Sequence, residues 1–194
     1  MRRLSLYSAF LLPVLLAGCG ASASTPESVP PRAAGTQTAT LGWVESTGSP
    51  QSRLVFRVRS FSVTRSGWSA DLSITNDTSA TFSIEGENEA PKPAFGVMLF
   101  RTGSHAELEQ RNSQLALPVL RRATTFSSAL PASLGPNTTW TGTASARGAL
   151  PAGLWVRFVF GAFVPKGKMP ESLSREGVRD AVIWITDHAR RLRG

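Results

Sequence analysis

The sequence predicts an all-β protein: an antiparallel sandwich of seven to eight strands behind a short leader. Three observations predict it. From Arg53 onward, apolar residues recur at every second position in several short runs, the period of a half-buried strand. Clusters of Gly, Pro, Asn and Ser separate those runs and read as turns. About 150 residues follow the leader, enough for one self-sufficient core. Cys19 is the only cysteine, so no disulfide framework is available and packing must hold the fold.

Taken in order, Thr38 to Glu45, with Leu41, Trp43 and Val44, reads as a first edge strand. In "RLVFRV" Leu54, Phe56 and Val58 point one way, and Arg53 and Arg57 the other. In the following "SFSVT" the apolar residues Phe61 and Val63 stand on the opposite parity. A one-residue slip flips a strand's faces, so a bulge or a switch between sheets is expected between Val58 and Phe61. Ser66-Gly67 reads as a turn. "WSADLSITN" then alternates, with Trp68, Ala70, Leu72 and Ile74 inward, and Asn76 to Ser79 turns the chain.

"ATFSIEG" resumes with Phe82 and Ile84, and "AFGVMLFRT" (94–102) is apolar on both faces, as a central strand is. Ala106 to Leu117 fits a short helix or a loop. "TTFSS" is a weak strand, and Gly135-Pro136-Asn137 is a turn. "TTWTGTASA" alternates Trp140, Gly142 and Ala144 against threonines. "LWVRFVFGAFV" is the strongest strand, with Leu154, Val156, Phe158, Phe160 and Ala162 on one side. "SLSREG" fits a helical turn. The segment 181–194 has both helical spacing and β-branched density, and Ala181 to Thr186 is taken as a strand.

The leader has its own logic. Met1-Arg2-Arg3 is a basic head, Leu4 to Leu16 is uncharged and apolar, and Ala17-Gly18 are small. These are the parts of a secretory signal, too short to span a bilayer. Leu16-Ala17-Gly18-Cys19 resembles the bacterial lipobox. The resemblance implies cleavage before Cys19, a diacylglyceryl group on its sulfur, and an extracytoplasmic protein on the cell membrane, or on the outer membrane of a Gram-negative source. Multiple acyl chains anchor stably where one does not. Residues 1–18 are thus expected to be a signal peptide. Residues 19–37, rich in Ala, Ser, Thr and Pro, are expected to be a flexible tether. Residues 38–194 are expected to be the domain.

Two further signals, "LSITN" and the later "LGPNTTWTG" before "LPAGLWVRFVF", resemble the immunoglobulin-like domains of bacterial lipoproteins. In those an Asn closes an early strand and a Leu-x-Pro-Gly-like turn opens a late one. Here Gly135-Pro136 reverses the Pro-Gly order. The resemblance implies an immunoglobulin-like sandwich over about residues 53–186.

The formal net charge is +8 at pH 7. Such a surface attracts anionic headgroups or wall polymers through a screened field. The arginines are scattered and no recognition motif occurs, so nucleic-acid binding is not expected. Arg53, Arg57 and Arg59 lie close together on one strand and form a candidate patch for an anionic partner. Arg121-Arg122 and the tail Arg190-Arg191-Leu192-Arg193 read as solvated ends.

Catalytic signals are thin. His105 follows Ser104 and His188 follows Asp187, and adjacent residues do not readily form a triad. No Gly-x-Ser-x-Gly elbow or phosphate loop occurs, and Cys19 is committed to lipid. No metal or other cofactor is expected. Glu85, Glu87 and Glu89 could hold Ca²⁺ but read first as a solvated loop. Of the five tryptophans, Trp155 is out of phase with Leu154 and Val156 and is the one to look for on a surface. The expectation is a non-enzymatic, lipid-anchored binding or scaffold module of the envelope. Polymer binding and an unrecognised hydrolase are the alternatives, and the sequence does not specify the oligomeric state.

Overall fold

The structure is a computed structural model and describes residues 32–84 and 94–194. These belong to one compact unit, Pro31–Gly194. Cys19, the signal segment, and Glu85, Glu87 and Glu89 lie outside the described residues.

The strands, in chain order, are β1 (Gln37–Ser49), β2 (Ser52–Val63), β3 (Gly67–Asn76), β4 (Phe82–Ser83) and β5 (Gly96–Phe100). Helix α1 (His105–Ser113) follows, then β6 (Arg121–Arg122), β7 (Thr125–Ser127), β8 (Ser133–Leu134), β9 (Thr138–Arg147) and β10 (Trp155–Pro165). The chain ends with α2 (Glu171–Ser174), β11 (Val182–Ile185) and β12 (Arg190–Arg191). All pairings are antiparallel, and the fold is an all-β two-sheet sandwich. One sheet runs β1-β2-β3-β9-β7. The other is built around β10, which pairs β5, β11, β12 and β4, with β6 and β8 at its margins.

Twelve strands form among the described residues, against seven or eight expected. The surplus comes from two- and three-residue pieces such as β6, β8 and β12, too short to show a periodicity in sequence. β8 becomes a strand by pairing β4, β6 by pairing β5, and β12 by pairing β10.

The alternation in the long strands decides the core. Leu72 and Ile74 of β3 and Phe158 and Phe160 of β10 are fully buried between the sheets. The phase change in β2 is a bulge: Val58 pairs Leu72 and Ser60 pairs Asp71, leaving Arg59 unpaired. The bulge lets Leu54, Phe56 and Val58, then Phe61 and Val63, all reach the same core, while β2 stays within one sheet. β10 carries a second bulge that the alternation does not reveal. Phe160 pairs Trp184 but Phe163 pairs Val182, so Phe163 rather than Ala162 joins the core.

Both faces of β5 and β10 are covered. Opposite the main core, Met98, Phe100, Val159 and Leu108 of α1 form a second small cluster, which Trp155 borders. Ser104 caps α1, its Oγ accepting from Glu107 N, and Glu107 and Arg111 pair across one turn. This explains why "GVMLF" is apolar on both sides.

The leader expected through residue 37 joins the domain earlier. Ala34 is buried and its N–H donates to Leu150 O at 2.7 Å, and Ala33 bridges Pro151. The arginine tail is also more than a solvated end. Arg190 and Arg191 pair with β10, and Leu192 is buried in the core.

The two signals of the early strand and late turn meet in space. Asn76 is fully buried, and its Nδ2 donates to the carbonyls of Ala80 (2.8 Å), Leu134 (3.1 Å) and Gly135 (2.9 Å). Its Oδ1 accepts from Thr78 N and Thr78 Oγ1. The end of β3 is thereby tied to the turn that opens β9.

Candidate functional site: the polar sheet face and its surroundings

The outer face of the five-stranded sheet is built in rows. Cross-strand register places Thr38, Ser62, Ser69, Ser145 and Thr125 side by side. The next row is Thr40, Ser60, Asp71, Thr143 and Ser127. Arg57, Ser73 and Thr141 form a third row, in which Ser73 is buried, and Thr75 and Thr139 continue a fourth that begins at the buried Val55. Directly opposed residues stand about 5 Å apart and successive rows about 7 Å apart. The result is a grid of hydroxyls, set by strict alternation in "WSADLSITN" and "TTWTGTASA".

Asp71 sits inside this grid. Ser60 Oγ and Thr143 Oγ1 donate to its two oxygens at 2.6 and 2.7 Å. Those bonds, with the nearby Arg59 guanidinium, hold its carboxyl below the usual carboxylate range against the opposing effect of burial. Thr38 bonds Ser62 and Thr75 bonds Thr139, at 3.0 and 2.9 Å. A hydroxyl has one donor and two acceptor positions, so capacity toward an external partner remains. At one end of the face, Ser62, Thr64, Ser69, Thr125 and Ser145 line an open cleft of about 500 Å³.

The three candidate arginines occupy this sheet but are not alike. Arg57 lies half-buried across the face, with Nη1 donating to Thr75 Oγ1 at 3.1 Å. Arg53 faces Asp77, 3.8 Å away. Arg59 protrudes from the bulge beside Asp71. Two carboxylates are therefore interleaved with the three cations, and the local field is weaker than spacing along β2 alone implies.

Both histidines converge on one loop, Thr186 to His188. Glu45 of β1 accepts four hydrogen bonds from its neighbourhood: Trp184 Nε1 (2.8 Å), Asp187 N (2.9 Å), His188 N (3.0 Å) and His188 Nδ1 (2.7 Å). His188 stacks on Trp43. His105 lies 3.2 Å from both Asp187 and Glu109. Both oxygens of Glu45 are thus taken up by holding the loop.

Beneath the same loop lies Arg157, fully buried. Its Nη1 donates to the carbonyls of Thr186, at 2.7 Å, and Asp187. Its Nη2 donates to the carbonyls of Gly103 (3.1 Å) and Ser104 (2.8 Å). Burial lowers its proton affinity, while Asp187, Glu45 and Glu107 raise it. Glu45 and Arg157 were not singled out from sequence. The available signal was one charge inside "LWVRFVFGAF", a run apolar on both faces.

Trp155 is only half-buried, as its phase suggests, and stands beside Arg190, Arg191 and Arg193 in an open cleft. Among the described residues, no group of three or more His, Cys, Asp or Glu is arranged to hold a metal ion. Comparison with protein-family models, with curated proteins and with solved structures returns no match.

Proposed function

We propose that this protein is a lipid-anchored binding module on the extracytoplasmic side of a bacterial envelope, held by Cys19, and that the hydroxyl face contacts a polyhydroxylated envelope polymer. The observation that carries the proposal is the register of Ser and Thr across β2, β3 and β9. A set of donors and acceptors repeated along neighbouring strands suits a polymer that presents hydroxyls and amides at intervals of several ångströms. Arg57 within the grid and Arg59 at the β2 bulge add positive charge. Leu16-Ala17-Gly18-Cys19 supports the anchor.

Two experiments test the reading. Fatty-acid labelling should mark the wild-type chain and spare Cys19→Ala, and equal labelling would exclude the anchor. The full chain carrying Cys19→Ala should co-sediment with purified cell-wall polymer. Thr139→Val, Thr141→Val and Thr143→Val together keep β-branched shapes and remove three hydroxyls. They should weaken sedimentation about tenfold or more, since a net hydrogen bond contributes roughly 0.5–1.5 kcal/mol. Unchanged sedimentation would exclude the face as the contact surface.

A further inference from the structure

A second group of arginines stands apart from β2. At the far end of β10, Arg190, Arg191 and Arg193 line an open cleft of about 600 Å³ with Gly153, Trp155 and Ala189. Leu192 and Gly194 complete the lining, and among the described residues that line the cleft none has a carboxylate side chain. No ion pair among the described residues engages any of the three arginines.

The backbone holding them is pinned on both sides. Arg191 pairs Trp155 and Arg190 pairs Val156 across an antiparallel ladder. Leu192 N donates to Leu154 O at 2.8 Å, and Gly153 N donates to Leu192 O at 2.9 Å. Leu192 itself is buried. Arg193 O accepts from Gly35 N at 3.0 Å and from Gln37 Nε2 at 3.2 Å, and Arg193 N donates to Gln37 Oε1 at 3.3 Å.

Directly opposed residues of an antiparallel pair send their side chains to the same face. Arg191 therefore stands beside the half-buried indole of Trp155. That ring is backed by Gly103, where a Cβ would meet it at 2.5 Å, so the indole is held in place.

We infer that this cleft is a binding site for a phosphate-bearing ligand whose neighbouring ring packs on Trp155. Guanidinium groups fit phosphate oxygens with paired, charge-assisted hydrogen bonds. Arg191 and Arg193, on either side of the buried Leu192, place two like charges on the Trp155 side of the strand, and an anion with more than one negative charge offsets their repulsion. The indole offers an apolar face beside the anion position, which a sugar or other ring can cover. The inference deepens the binding-module reading by giving its anionic partner a site, and it does not depend on the hydroxyl face. A phosphodiester of a wall polymer and a lipid headgroup share this chemistry.

The test uses the full chain carrying Cys19→Ala, so that no acyl chain contributes. It is titrated by calorimetry with glucose 6-phosphate, with glucose, and with inorganic phosphate. Sedimentation with phosphatidylglycerol vesicles, against phosphatidylcholine vesicles, forms the lipid arm. Saturable binding is expected for the phosphorylated sugar or the phosphatidylglycerol vesicles, weaker binding for inorganic phosphate, and none for glucose. Whichever arm binds identifies the source of the phosphate.

The pair Arg191→Gln/Arg193→Gln should weaken binding at least about tenfold, because each removes a charge-assisted contact, and binding should fall with added salt. Trp155→Phe should weaken the phosphorylated sugar more than inorganic phosphate. An unchanged urea midpoint shows that the variants fold. Absence of saturable binding in both arms, or equal binding by the arginine variant, would overturn the inference. The Thr139, Thr141 and Thr143 substitutions should leave this binding intact, which separates its failure from failure of the polymer-binding face.

Discussion

Replacing Arg157 by methionine should destabilise the domain by about 3 kcal/mol, although methionine is apolar and of similar length. The guanidinium is fully buried and supplies four carbonyls, two in the Thr186–Asp187 loop and two at Gly103–Ser104. Each acceptor left without a donor costs roughly 1–3 kcal/mol where water does not replace it. The four costs do not add fully, since two pairs of carbonyls share one loop each and can relax together. Removing a buried charge also recovers part of its desolvation energy. The balance is about 3 kcal/mol, the equivalent of one to three carbonyls left without a donor.

For a domain of this size, that corresponds to a fall in Tm of about 10 °C. Scanning calorimetry measures it, and hydrogen exchange should show faster exchange at Asp187 N and His188 N. Arg157→Lys keeps the charge but offers a single head in place of a fork, so it should recover less than half of the loss. A loss below about 1 kcal/mol in Arg157→Met would refute the reasoning, because the four contacts would then be dispensable.

Asn76→Ala removes five hydrogen bonds at a buried corner and should cost about 2–4 kcal/mol by urea unfolding. Asn76→Asp should be at least as damaging, since it turns an acceptor toward three carbonyls. Phe158→Ala, between Trp43 and Phe61 in the main core, should cost about 3–5 kcal/mol, and a value under 1 would place the ring on the surface. Burial raises the pKa of Glu107, but donation from Thr102 Oγ1, Thr102 N, Arg101 N and Arg111 prevails and brings it down to about 2. Its folded value is thus depressed, so its stabilisation is complete above the ordinary carboxylate range and is lost as pH falls toward 2. Carbon-detected NMR titration should find this carboxyl still ionised at pH 3, and Glu107→Gln should flatten the acid limb of the stability curve.

Local alternation and turn chemistry decided the sandwich. Trp68, Ala70, Leu72 and Ile74 are buried as their parity requires, because in an extended chain the side-chain direction is fixed by position alone. The same rule made the phase break after Val58 legible as a bulge or a sheet switch, and the cross-strand register selects the bulge. It also made the hydroxyl face readable strand by strand. Its rows across the sheet became visible only with the register, which pairs residues as far apart as Asp71 and Thr143.

Other features had no local signal. Glu45 lies in a strand of mixed polarity, and only the approach of a loop 142 residues further along turns it into a hub. Arg157 is buried because α1 and its N-terminal loop cover the outer face of β10. The arginine tail becomes a strand because β10 offers it an open edge. Alternation reports which side of a strand a residue occupies. What covers that side is contributed by distant segments, and so burial of charge, loop anchoring and the placing of Arg191 beside Trp155 were decided by tertiary contact alone.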